Sequence, residues 1–178
     1  MADELLDEID DLENEDTGTS KYLLFHLGDE IYGIDIAHIV EIVEMQKITE
    51  VPDMASYFKG VFNLRGKVIP AMDLRIRFNL PEREYDDRTC IIVVQIDTSI
   101  VGFIVDTVSE VHDIKDENIE PPPAFKSDDK KGKYISGLAK INEDVRILVD
   151  VRRILSDEEL EKIALAENNS SDEEGNKE

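Results

Sequence analysis

The amino-acid sequence predicts a mainly β protein built from two copies of one small unit, each with about five short strands arranged as a barrel. Short apolar runs recur between turn residues, as in Tyr22–Leu27 and Cys90–Ile96. The second half also repeats the first, because setting Gly33 on Gly102 aligns the apolar positions that follow each glycine. A barrel leaves no exposed sheet edge. Neither copy, at about 65 residues, buries much surface alone, so we expect the two to pack together.

The first copy is predicted to open with a hairpin. Tyr22–Leu27 forms one strand, Gly28–Glu30 the turn and Ile31–Ile34 the returning strand. The pattern of residues 36–45 allows both a helical turn and a strand, and a short helix leading into a strand satisfies both. Residues 53–60 are interpreted as a short helix or turn.

A second hairpin is predicted over residues 58–78, with its turn at Arg65-Gly66-Lys67. Gly66 supplies the positive φ that a tight turn needs. Pro70 removes a backbone donor, which favours an edge strand or a bulge. Arg65 at the tip, between apolar strands, is either an ordinary solubilising charge or part of a recognition surface. A charged loop over residues 81–88 separates the two copies.

The second copy repeats this order, with a strand at Cys90–Ile96 and a returning strand at Ile100–Val105. Residues 121–134, rich in Pro and Lys, form the irregular insertion. After Leu155 a short helix is predicted, capped by Ser156 and running to about residue 166. The remaining aligned pairs are Ile39 with Val108, Glu41 with Glu110, Ile42 with Val111, Gly60 with Gly137, and Asp73-Leu74-Arg75 with Asp150-Val151-Arg152.

The formal net charge of −22 is concentrated at the ends. Residues 1–16 contain nine acidic side chains and no basic one, and residues 156–178 contain nine against two lysines. Such segments bury too little apolar surface to offset the entropy of ordering, so disordered tails are expected at 1–19 and 167–178. Helical spacing of the apolar residues within 3–14 leaves a short docking helix as the alternative. The body spans 20–166, with subdomains at roughly 22–88 and 89–155.

The charge balance argues against nucleic acid and anionic membrane surfaces as partners. No signal peptide or apolar run of membrane-spanning length is present, which predicts a cytoplasmic protein. The three histidines are scattered and lack the spacing of a metal site. Phosphate-binding and serine-nucleophile motifs are absent, so no enzyme activity, metal or cofactor is predicted. The single cysteine, Cys90, lies in an apolar run and is expected to be a buried thiol.

Glu41 and Arg65 are the two charged residues most expected to lie near each other. They belong to the helix-strand unit and the second hairpin of the first copy, where apolar β-favouring runs lie beside them. A pair there would fix the hairpin tip and form the edge of a groove. Its energy depends on whether it is buried, and both cases remain open.

Several separated stretches together resemble the signature of the bacterial chemotaxis coupling proteins, the CheW family. They are Lys59–Gly66 (KGVFNLRG), Ile69-Pro70, Asp73-Leu74-Arg75, Gly28–Ile36 (GDEIYGIDI) and Val101–Asp106 (VGFIVD). The resemblance implies two intertwined five-stranded β-barrels similar to SH3 domains. It also implies a non-catalytic adaptor between the cytoplasmic tip of methyl-accepting chemoreceptors and the regulatory domain of the chemotaxis histidine kinase. The acidic ends depart from the minimal family pattern.

The family further implies that a receptor helical hairpin lies in a groove between the barrels, with the kinase on the first barrel at residues not assigned. An SH3-like peptide-binding module outside chemotaxis is the alternative, disfavoured by 6% aromatic residues and no tryptophan. A hydrolase using clustered carboxylates is a third reading without a specific motif. The receptor-groove positions are Ile39, Glu41, Gly60, Asn63, Arg65, Gly66, Cys90, Ile91, Val108 and Val111.

Overall fold

The computed structural model describes residues 18–122, 133–156 and 158–163, which fold as two β-sheets with a few short helices. Residues 158–163 are helical. Two α-helices, α1 (Leu74–Arg77) and α2 (Val151–Ile154), follow the last strand of each copy. The strands in these ranges are β1 (Thr19–Leu27), β2 (Glu30–Asp35), β3 (Ile39–Glu44), β4 (Phe58–Leu64), β5 (Lys67–Asp73), β6 (Cys90–Ile96), β7 (Ser99–Val105), β8 (Thr107–Lys115), β9 (Ile119–Glu120), β10 (Ile135–Ile141) and β11 (Asp144–Val149).

Most of the predicted local structure is confirmed. The strand at Cys90–Ile96 has its predicted bounds, whereas β1 starts earlier than predicted, at Thr19. Residues 36–45, whose pattern allowed both a helical turn and a strand, form a 3-10 turn at Ile36–His38 followed directly by β3. The side chain of Asp35 caps that turn by accepting a hydrogen bond from the N–H of Ala37 (2.9 Å). A short carboxylate in this position satisfies a donor that the turn leaves unpaired, which is why the turn begins there.

The predicted β4–β5 hairpin also forms, with one difference at Pro70. The strand β5 lies inside its sheet, between β7 and β4, and is not an edge strand. Pro70 pairs with Val61 of β4 and precedes the stretch paired with β7, which begins at Ala71. A proline is tolerated in this inner strand because it stands before the two-sided part of the ladder.

The two sheets exchange strands between the two copies. The six-stranded sheet has the order β8-β1-β2-β11-β10-β9, and the five-stranded sheet has the order β3-β6-β7-β5-β4. The first strand of each copy runs antiparallel to an edge strand, β1 to β8 and β6 to β3. The second strand of each copy runs parallel to the last strand of the other copy, β2 to β11 and β7 to β5. The first two strands of each copy thus join the later strands of the other. Each sheet contains strands from both predicted ranges, 22–88 and 89–155, and this confirms the intertwined, mainly β fold.

In each copy the chain crosses from one edge strand of its sheet to the opposite edge strand, from β3 to β4 in the first copy and from β8 to β9 in the second. Thr49, which follows β3, exchanges two backbone hydrogen bonds with Val61 of β4 (2.8 and 2.9 Å). In the second copy β8 leads through a 3-10 turn into β9, which pairs with β10. A glycine marks both crossings. A Cβ on Gly60 would lie 2.0 Å from the Thr49 carbonyl oxygen, and one on Gly137 would lie 2.7 Å from Ile119 Cγ2.

Buried apolar residues form one central core between the sheets and a smaller core within each sheet. β6 contributes to two of them. Ile92 and Val94 belong to the central core, whereas Ile91 and Val93 belong to the core of the five-stranded sheet. Both faces of β6 are therefore buried, which explains its continuous apolar sequence. The six-stranded sheet has the smallest core, formed by Ile114, Ala139 and Leu148.

Two arginines of the first copy reach residues of the second. Arg75 Nε and Nη2 donate to the two carboxylate oxygens of Asp106 (2.6 and 2.5 Å), and only 12% and 10% of these side chains are exposed. The guanidinium of Arg77 lies between the rings of Tyr57 and Tyr134, 4.5 and 4.7 Å from their centroids. Its Nε donates to the carbonyl of Ile154 (2.8 Å). These cation–π contacts and hydrogen bonds stabilise the docking of one copy on the other.

Candidate partner-binding groove

The two edge strands β3 and β8 belong to different sheets and border the same central core. Ile39, Val108 and Val111 pack against that core and remain partly exposed. Cys90, at the start of β6, lies between the two strands, because it pairs with Glu44 of β3 and its sulfur is close to the backbone of Val108 in β8. We call the surface formed by β3, β8 and Cys90 the inter-sheet groove. Its floor is apolar and its walls are strand edges with polar backbone groups.

The predicted proximity of Glu41 and Arg65 is confirmed on one wall of the groove. Arg65 Nη1 and Nη2 donate to the two carboxylate oxygens of Glu41 at 3.2 and 2.9 Å. The carboxylate side is buried and the guanidinium side is open, with 11% and 76% of the side chains exposed. A bidentate pair of this kind fixes the orientation of the guanidinium, and three of its five N–H groups remain for a partner.

The hairpin tip holds Arg65 in a left-handed backbone conformation. Arg65 has φ 51° and Gly66 has φ 88°. Asn63 Oδ1 accepts a hydrogen bond from the N–H of Gly66 (2.8 Å) and so closes the turn. A Cβ on Gly66 would meet nothing within 4 Å, so the glycine is required by the backbone and not by packing.

The environment of the half-buried Cys90 disfavours its thiolate form. Burial raises the pKa of Cys90; the hydrogen bond from the Val108 backbone opposes the shift, and the nearby charges of Glu44 and Asp86 add to it. The Cys90 thiol donates a hydrogen bond to the carbonyl oxygen of Arg88, with 3.2 Å between sulfur and oxygen. A thiol with a raised pKa is a poor nucleophile and a poor metal ligand at neutral pH.

Two of the ten predicted groove positions need correction. Ile91 is fully buried in the core of the five-stranded sheet, so its side chain supports the groove from beneath and cannot touch a partner. Gly60 is buried against Thr49 and serves the chain crossing. The apolar run around Ile91 gave no sign of which side faces outward, because both faces are covered. The structure places Ile39, Cys90, Val108 and Val111 around one core, and Glu41, Asn63, Arg65 and Gly66 at the adjoining hairpin tip.

Sequence reasoning missed an exposed apolar residue on the β3 wall and a charged pair beside β8. Val40 is 45% exposed on the edge strand β3. Lys21 Nζ lies 3.3 Å from Asp113 of β8. The alternation of residues along β3 was the available signal for Val40. Nothing in the local sequence connects Lys21 with Asp113.

A second concave surface is a cavity of about 560 Å³ beside the β4–β5 hairpin. It is bounded by the loop after β3, the β4–β5 hairpin and the helical residues 158–163. Its lining is mostly apolar, and the exposed Val51 and Val68 belong to it. The apolar lining residues are Val51, Met54, Ala55, Phe58, Val61, Val68, Pro70 and Ile163.

In the described ranges, no group of three or more His, Cys, Asp or Glu side chains is arranged to hold a metal ion. No helix among these same residues has the length and apolar character needed to cross a membrane.

The fold defines a class: a duplicated β protein whose two sheets exchange strands between the copies. The chain belongs to the CheW-like domain family, which it matches over residues 21–159. It is similar to chemotaxis protein CheW of Klebsiella aerogenes, with 38% identity over 145 residues that cover 82% of this chain and 87% of the relative. It is 37% identical over 135 residues to chemotaxis protein CheW of Helicobacter pylori, covering 76% of this chain and 81% of the relative. A solved structure, the scaffolding protein TtCheW from Thermoanaerobacter tengcongensis, matches with a TM-score of 0.70 and 36% identity, covering 76% of this chain and 91% of that one.

Proposed function

We propose that this chain is a non-catalytic chemotaxis adaptor that couples methyl-accepting chemoreceptors to the chemotaxis histidine kinase in the cytoplasm. The observation that carries the proposal is the inter-sheet groove, an apolar floor with an oriented guanidinium on one wall. The relatives named as chemotaxis proteins and the scaffolding protein of similar structure support it.

The receptor's cytoplasmic tip is a helical hairpin, and one of its helices would lie along the groove. The apolar side chains of Ile39, Val108 and Val111 would bury one face of that helix. Arg65 would pair with an acidic or carbonyl group at the edge of the contact. Such a mode needs a pre-formed groove, and the Glu41 pair supplies the fixed edge.

We assign the kinase to the cavity on the outer side of the β4–β5 hairpin. The cavity and the groove share the β4–β5 hairpin, but the cavity is lined by Val61, Val68 and Pro70 in its strands, whereas Arg65 lies at its tip. The mostly apolar lining, with Val51 and Val68 exposed, could receive an apolar side chain of a partner. Separate surfaces would let one adaptor hold receptor and kinase at once.

An SH3-like peptide-binding module would instead need exposed aromatic side chains in a groove. The aromatic rings of Phe25, Tyr32, Phe78 and Tyr134 contact one another, and all four pack in or against the central core. A proline-rich peptide therefore serves as the negative control ligand.

The test compares Arg65→Ala with Asn142→Ala in binding to a chemoreceptor cytoplasmic fragment. Asn142 occupies the equivalent tip of the second copy, with φ 57° against 51° at Arg65, so both substitutions place alanine in the same backbone conformation. We expect Arg65→Ala to weaken receptor binding about tenfold, as for an interface arginine. Asn142→Ala should bind as the wild type does.

Kinase binding and receptor-dependent control of kinase autophosphorylation are measured on the same proteins. Wild type should form the ternary complex, and Val68→Asp should lose the kinase while keeping the receptor. Failure of the wild type to bind either partner would overturn the adaptor function. Equal losses for the two tip variants would remove Arg65 from the binding surface.

A further inference from the structure

The two walls of the inter-sheet groove are copies of each other. Ile39 and Ile42 on β3 correspond to Val108 and Val111 on β8, and the pairing of Cys90 with Glu44 is repeated by that of Lys21 with Asp113. Exchanging the copies therefore exchanges β3 with β8. It also exchanges the end of the groove at Cys90 with the end at Lys21, about 17 Å away along β8.

A groove that maps onto itself with its ends reversed does not distinguish the two directions of a bound helix by the apolar residues that pack against the central core. In either direction the helix meets the aliphatic pairs Ile39 with Val108 and Ile42 with Val111, whereas the exposed Val40 of β3 has Ser109 as its equivalent on β8. Direction must then come from a feature that the two copies do not share.

The charges at the hairpin tips are such a feature. The first tip reads Arg65-Gly66-Lys67 and the equivalent second tip reads Asn142-Glu143-Asp144. On the β3 wall, Glu41 is neutralised by Arg65, whose guanidinium faces solvent. On the β8 wall, the equivalent Glu110 is exposed, and its copy of the tip offers no cation. The β3 wall therefore presents a positive group where the β8 wall presents a negative one.

We propose that this charge difference, centred on Arg65, sets the direction in which the receptor helix lies in the groove. The partner is an amphipathic helix with an acidic side chain beside its apolar face. In one direction that carboxylate meets Arg65, and in the reverse direction it meets Glu110. Attraction in one case and repulsion in the other, each about the size of a surface ion pair, favour one direction roughly tenfold. This inference rests on the receptor-binding function proposed above.

The direct test exchanges the two tip residues in the double variant Arg65→Asn, Asn142→Arg. The composition and net charge of the chain stay the same, and both positions already accept a left-handed backbone. A nitroxide is attached to either end of the receptor helix in a chemoreceptor cytoplasmic fragment. Loss of amide NMR signal is then read at Glu44 and Cys90 for one end of the groove and at Lys21 and Asp113 for the other.

In the wild type we expect each label to broaden one end of the groove only. In the exchanged variant the two patterns should swap or become mixed. Asn142→Arg alone leaves the Glu41–Arg65 pair in place, so it should fold even where the double variant does not, and it should give a mixed pattern.

The outcomes separate the two proposals. Absence of broadening at both ends in the wild type would overturn groove binding itself, and the direction with it. Equal broadening at both ends from each label in the wild type would overturn the direction alone, since the helix would then bind either way. A single direction that survives in both variants would also overturn it, because the hairpin tips would then play no part.

Discussion

Replacing Asp106 by asparagine removes one charge from the ion pair that joins α1 of the first copy to the end of β7 in the second. Both oxygens are in use: Arg75 donates to each, and the N–H of Gly28 donates to Oδ2 (2.9 Å). With only 12% and 10% of the two side chains exposed, the pair falls in the class whose disruption costs about 3 kcal/mol or more. For a chain of this size, that loss lowers Tm by roughly 6–12 °C.

The assay is urea unfolding and calorimetry of the full chain, with Asp113→Asn as the matched control. Asp113 also pairs with a cation, Lys21 at 3.3 Å, but 61% of its side chain is exposed. Its replacement should cost less than about 1 kcal/mol. Equal losses of stability for the two variants would refute the view that burial makes the Arg75 pair important.

The same pair predicts a pH dependence of the difference between wild type and Asp106→Asn. Burial raises the pKa of Asp106, but the hydrogen bonds from Arg75 and the Gly28 amide and the charges of Arg75 and Arg83 outweigh it, so the net pKa lies below the ordinary value of 3.8. A depressed folded-state pKa stabilises the protein fully above the unfolded value, and this contribution disappears as the pH falls through the folded one. The stability difference should therefore be constant above about pH 5 and shrink below pH 4. A difference that persists unchanged to pH 2 would contradict this assignment.

Three further predictions concern packing and access. Gly60→Ala should cost more than about 3 kcal/mol in urea unfolding, because its Cβ would overlap the Thr49 carbonyl at φ 141°, whereas Gly66→Ala in open space should cost about 1 kcal/mol. Phe62→Ala should lower the free energy of unfolding by about 3–5 kcal/mol because the ring is buried. Val68→Ala should change it by no more than about 0.5 kcal/mol, because 61% of that residue is exposed. Similar values for the two variants would refute the assigned core. Cys90 should be alkylated more slowly than N-acetylcysteine at pH 7.5, because burial raises its pKa, and more slowly still with receptor bound; a rate equal to the free thiol would contradict the described environment.

The local structure was readable from the sequence because it depends on neighbouring residues. Turn residues such as Gly66 and Asp97 stand between β-favouring runs, and both observed turns use a positive φ there. The Glu41–Arg65 pair was predictable for a related reason. Glu41 stands between aliphatic residues of β3 and Arg65 at the tip of the hairpin that follows in the same copy, and the structure confirms their contact.

What depends on distant residues was not readable from the residues alone. The partner of Arg75 could not be chosen among 42 acidic side chains, and nothing local marks Asp106. The exchange of strands between the copies came from the family resemblance, since turn chemistry specifies only which strands are consecutive. Ile91 was misplaced for a physical reason: a strand buried on both faces has no alternation to show which residues face a partner.

The strand exchange has a consequence for the synthesis of the chain. β1 and β2 are made first, yet their outer neighbours are β8 and β11, which end at Lys115 and Val149. At about 5–20 residues per second, the first hairpin waits roughly 6–25 s on the ribosome before its sheet is complete. A truncated product that ends before β11 contains every strand of the five-stranded sheet once β7 is made, but it cannot complete the six-stranded one. The cell therefore obtains a folded adaptor only from a translation event that runs through both copies, and two fragments separated in the loop at residues 81–88 would have to find each other to fold.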